Sequence, residues 1–84
     1  MPKIEPLNEA GGSCDYKLPS NITVAQIEKI LGFKANVDDD IDKVKYSWGF
    51  TVDGKRAGIW DYKGSRWSVL DPHDVVKALF KDFM

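Results

Sequence analysis

The chain has 84 residues, of which 43% are hydrophobic and 12% aromatic, and this is enough apolar matter for one compact core and too little chain for two domains. A single cysteine, Cys14, excludes an internal disulfide; no stretch approaches the roughly 18 apolar residues of a membrane span, and Met-Pro-Lys-Ile-Glu-Pro does not read as a secretion signal, so a cytoplasmic protein with no membrane partner is expected. Net charge is −1 but unevenly laid: residues 1–42 carry four lysines against eight acids (−4), residues 43–70 six bases against two acids (+4), and residues 71–84 two bases against three acids (−1), which permits a local anion site without making the whole chain a polyanion binder.

Residues 1–21 hold Pro2, Pro6, Pro19 and the pair Gly11-Gly12, which break helices, so this segment is expected to be an extended arm. Tyr16 and Leu18 alternate with Asp15 and Lys17, which suits a short extra edge strand there. The domain proper is expected over residues 22–84. Its first helix is signalled at both ends. Thr23 and Gln26 form a capping box, Ile22 and Ile27 have staple spacing, and Gly32 stands where a left-handed closing residue is wanted, which predicts a helix over Val24 to Leu31.

Residues 34–43 are polar and contain Asp38, Asp39, Asp40 and Asp42, read as a solvated connection that can also serve as a secondary contact surface. A meander follows. Tyr46, Trp48, Phe50 and Val52 alternate with polar or small residues, Asp53-Gly54 marks a turn, a return strand covers Arg56 to Tyr62, and a third strand covers Arg66 to Leu70 after a turn at Lys63-Gly64-Ser65. A two-residue turn at Asp53-Gly54 pairs Trp48 with Ile59 and places Trp60 and Tyr62, together with Trp67 and Val69, on the other face. A three-residue bulged turn would gather Trp48, Phe50, Trp60 and Tyr62 instead; the Asp-Gly pair favours the tight turn.

The last helix is expected to start at an Asp71 cap with Pro72 in its first position. It should bury a stripe of Val75, Val76, Leu79, Phe80 and Phe83. The expected fold is therefore α+β, in the order α-β-β-β-α: a three-stranded antiparallel meander packed by two helices, with the N-terminal edge strand as an addition.

Chemistry is sparse. Cys14 and His73 are the residues a nucleophilic enzyme would use, but Cys14 lies in the arm, His73 in a helix start, and nothing in their spacing joins them, so no enzyme is expected and an enzyme using either is a minor alternative. Asp38, Asp40 and Asp42 imitate the first ligands of a calcium loop, but Lys43 stands where the loop needs glycine and Gly49 where it needs glutamate, so no metal is expected. No glycine run has the form of a phosphate cradle, and no cofactor is expected.

What stands out is the crowding of aromatics on the basic segment. Trp48 and Phe50 are expected to be core, whereas Trp60, Tyr62 and Trp67, flanked by Arg56, Lys63 and Arg66, are expected to form an exposed recognition face. That points to a non-enzymatic binding module, a stand-alone inhibitor or adaptor that occludes a protein partner, of the kind phages encode to block host systems. The alternative is a nucleotide or single-stranded nucleic acid bound on an aromatic and basic sheet. A homo-oligomer stays open, because a chain this short leaves much of its surface in water.

Overall fold

A computed structural model of the chain describes residues 3–8, 14–19, 21–37, 44–62 and 67–83. In chain order the elements are β1 (Ile4–Pro6), β2 (Tyr16–Lys17), α1 (Val24–Leu31), β3 (Val44–Val52), β4 (Lys55–Tyr62), β5 (Ser68–Leu70), α2 (Val75–Leu79) and a closing 3-10 turn (Lys81–Phe83). The tight form of the first hairpin is the one adopted. Asp53 and Gly54 both take positive φ, 52° and 81°, as a two-residue primed turn requires, and Val52 pairs with Lys55, Phe50 with Ala57 and Trp48 with Ile59.

The meander β3-β4-β5 is the centre of a larger sheet. All five strands are antiparallel, in the order β1-β3-β4-β5-β2, so the extended N-terminal segment supplies a strand to each edge. The sequence pointed to the strand at Tyr16 and not to the one at Ile4, because three residues that include Pro6 are too few to display a period of two. Both edge strands are short, and Pro6, Glu5 and Lys17 blunt them against pairing with other chains.

Helix α1 follows its end signals. The Thr23 hydroxyl accepts the Gln26 N–H, the Gln26 side chain accepts the Thr23 N–H at 2.8 Å, and Gly32 closes the helix at φ 91°. Helix α2 departs from expectation. Residues 72–74 form a turn, Asp74 is the N-cap in a left-handed conformation, and the helix begins at Val75 rather than at Pro72. Asp71 still caps it from a distance: its carboxylate accepts the N–H of Val75 at 2.6 Å and of Lys77 at 3.0 Å, donors that Asp74 leaves unserved.

One cluster of buried side chains joins the layers. Trp48, Phe50 and Val52 of β3, Ala57 and Ile59 of β4, Val69 of β5 and the adjacent Trp67 meet Ile22, Ile27 and Leu31 from around α1, and Val76 and Phe80 from α2. Paired residues in an antiparallel ladder point to the same face. The Trp48–Ile59–Val69 row therefore makes this the core face, and both helices belong to it. The Cα radius of gyration, 11.4 Å, is close to the about 12 Å expected of a compact chain of this length.

Candidate functional site

Two of the three tryptophans are fixtures of the core. Trp48 and Trp67 meet edge to face with ring centroids 5.6 Å apart. The Trp67 indole N–H donates to the Ile22 carbonyl at 2.8 Å, just before α1, and the Trp48 indole N–H donates to the Phe33 carbonyl at 3.2 Å, just after it. The pair thus pins both ends of α1 to the sheet and satisfies two otherwise costly buried donors.

This corrects the expectation for Trp67 and Val69. Trp67 is only 8% exposed and Val69 is fully buried, both on the core face. The reason is the register of the second hairpin, in which Trp60 pairs with Ser68 and Ile59 with Val69. That alignment turns the apolar odd-numbered residues inward and the polar Ser68 outward, whereas the opposite alignment would have exposed an indole and a valine and buried a hydroxyl on the core side.

The opposite face is built from three cross-strand rows. One row runs Ser47, Trp60, Ser68 and Lys17; the next is Gly49, Gly58 and Leu70; the third is Glu5, Thr51 and Arg56. Trp60 is half-buried, and the two glycines directly opposite each other beside it, Gly49 and Gly58, are themselves buried. Ser47 and Ser68, on either side of Trp60, are 3% and 4% exposed, and the Ser47 hydroxyl has no hydrogen-bond partner. The Trp60 indole N–H likewise has none among the described residues, in contrast to the other two indoles.

Of the other residues singled out in the sequence, Arg56 is exposed on this face, in the third row. The backbone of Tyr62 pairs with Val44 at the end of the hairpin. Lys63, Arg66, Asp38, Asp39, Asp40 and Asp42 lie outside the described residues. Cys14 is exposed, with its thiol 3.3 Å from the Tyr16 carbonyl, and His73 is exposed in the turn before α2. The structure adds Lys17 and Ser47 to the Trp60 face; neither carries a signal in the sequence, since their place there depends on strand pairings between segments far apart in the chain.

A second polar cluster ties the N-terminal segment to α2. The Tyr16 hydroxyl donates to the buried Asp71 carboxylate at 2.5 Å, the Asp71 N–H donates to Asp15 at 2.7 Å, and the Lys77 ammonium lies 5.4 Å from the Tyr16 ring centroid. Burial and the bond to Asp71 push the Tyr16 phenol well above its usual value near 10. Because the folded protein holds this proton while the unfolded chain releases it above about pH 10, the contribution of Tyr16 is intact below that pH and lost as the pH rises through it. In urea unfolding, the advantage of the parent over Tyr16→Phe should therefore shrink between about pH 8 and about pH 11. A constant gap across that range would show that the phenol is not held in its neutral form by the fold.

Fold and faces together define a two-layer α+β domain, helices on one side of an antiparallel sheet and a tryptophan set among small residues on the other. The chain matches no protein-family model, no curated protein and no solved structure. Among the described residues no helix is long and apolar enough to cross a membrane.

Proposed function

We propose that this chain is a non-enzymatic binding module, a stand-alone inhibitor or adaptor that acts by occluding a protein partner with the sheet face around Trp60. The observation that carries this reading is the contrast among the three tryptophans: Trp48 and Trp67 are buried with their indole donors bonded to carbonyls next to α1, while Trp60 is half-buried on the other face and its indole N–H bonds to none of the described residues. A tryptophan held by a rigid sheet loses little side-chain freedom on binding, and such residues dominate interface energetics. Burial of Trp67 also removes one ring from the platform that successive bases would need, which favours a protein over single-stranded nucleic acid.

Trp60→Ala tests the reading. It should keep a cooperative melt, because no described residue bonds to the indole N–H, and it should lose what co-purifies with the tagged parent from its native cell, with truncation of such an anchor costing about 2 kcal/mol or more of binding. Unchanged co-purification with the fold intact would exclude this face. If the variant instead fails to fold, Trp60 is structural and the reading falls with it.

A further inference from the structure

Two short elements of the fold share one carboxylate. Strand β2 has two residues and meets the sheet only at β5, where the Asp15 N–H donates to the Val69 carbonyl at 2.7 Å. Helix α2 has five residues, and Asp74 at its N-cap makes no side-chain bond to the N–H groups that follow. A pairing that short and a helix of little more than one turn cannot hold themselves in water. Both are secured on Asp71: its carboxylate accepts the Tyr16 hydroxyl from β2 and the Val75 and Lys77 N–H groups from α2, and its own N–H donates to Asp15. On either side of this cluster the chain is anchored in the core, by Leu18 after β2 and by Val76 and Phe80 in and after α2, all fully buried.

We infer that residues 14–17 form a latch hinged at Leu18, which opens together with the first turn of α2 as one unit while the rest of the domain stays closed. The coupling runs through Asp71. Releasing β2 removes the Tyr16 donor and the Asp15 acceptor that hold Asp71 in place, and the same carboxylate is then free to swing away from Val75 and Lys77. Fraying of α2 acts on β2 by the same route, since a buried carboxylate keeps its place through the bonds it accepts. The closed remainder has its own support: β3 and β4, of nine and eight residues, pair from the Val44–Tyr62 end to the turn at Val52–Lys55, and α1 carries caps at both ends. Opening uncovers the Val69 carbonyl and the β5 edge, so an edge kept paired in the closed fold becomes available to another strand. This latch does not depend on what the Trp60 face binds.

Native-state amide hydrogen exchange, read residue by residue by NMR, tests this. In the parent, the amides of Asp15, Asp71, Val75 and Lys77 should share one opening equilibrium, at least about tenfold more populated than that of Trp48 and Phe50 in the β3–β4 ladder. Tyr16→Phe, which keeps the ring and removes one bond, should raise the opening of all four by the same factor, about fivefold, although the Val75 and Lys77 N–H groups bond to Asp71 and not to Tyr16. Exchange of the four through the same opening as the ladder amides would mean that the cluster comes apart only with the whole domain, and would overturn the inference. So would a rise confined to Asp15 and Asp71 with Val75 and Lys77 unchanged, since β2 and α2 would then open separately.

Discussion

Replacing Trp48 with alanine is expected to leave a chain that is largely unfolded. Trp48 is wholly inaccessible to solvent, sits in the middle of the longest strand, and holds Trp67 edge to face while its indole donates to the Phe33 carbonyl beyond α1. Alanine removes the apolar contact, opens a cavity that the paired backbones of β3 and β4 prevent from closing, and strands a carbonyl. Losses of about 3–5 kcal/mol are typical for a buried aromatic truncated to alanine. A domain of this length has only about 4–13 kcal/mol in all. The contrast with Trp60→Ala is what gives the experiment force, since both residues are tryptophans on adjacent strands and differ in the face they occupy. Urea unfolding followed by far-ultraviolet circular dichroism reads both. A Trp48→Ala protein as stable as the parent, beside a Trp60→Ala protein that cannot fold, would mean that the sheet presents the other face to its helices.

Local signals in the sequence proved sufficient at α1 and at the first hairpin, though not at α2, where the Asp71-Pro72 start gives way to a turn and the helix begins at Val75. Thr23, Gln26 and Gly32 delimit α1 because a cap and a left-handed closing residue act within one turn of chain, and Asp53-Gly54 sets the β3–β4 register because its two positive φ angles match the twist of the flanking strands. Features that depend on distant pairing were not legible. The face of Trp67 follows from the β4–β5 register, for which Lys63-Gly64-Ser65 offers no comparably specific turn chemistry. The strand at Ile4 exists because Val52, Thr51 and Phe50 present an open edge to it. For the candidate site the outcome is mixed. Trp60 and Arg56 could be placed on the outer face from the tight turn alone, while Lys17 joined them through a strand contributed from more than 40 positions earlier in the chain.

Asp71 illustrates the same division and yields the second large effect. Seen as a helix cap it would be worth about 1 kcal/mol, the usual cost of losing one. In the structure it is 3% exposed, and its two oxygens accept three hydrogen bonds, from Val75 N–H, Lys77 N–H and the Tyr16 hydroxyl, the last reaching across 55 positions of sequence. Asp71→Ala leaves those donors without their acceptor and releases both the start of α2 and the strand at the sheet edge, so a loss of about 3 kcal/mol is expected. Tyr16→Phe removes one of the three bonds and keeps the ring, and should cost about 1 kcal/mol. The two changes should not add: once Asp71 is alanine the phenol has lost its acceptor, and the second substitution should cost markedly less than it does alone. Chemical denaturation of the two single variants and the double variant completes the cycle. A loss of only about 1 kcal/mol for Asp71→Ala, fully additive with Tyr16→Phe, would mean that this carboxylate serves the helix alone and that β2 is held by its pairing to β5 without help from α2.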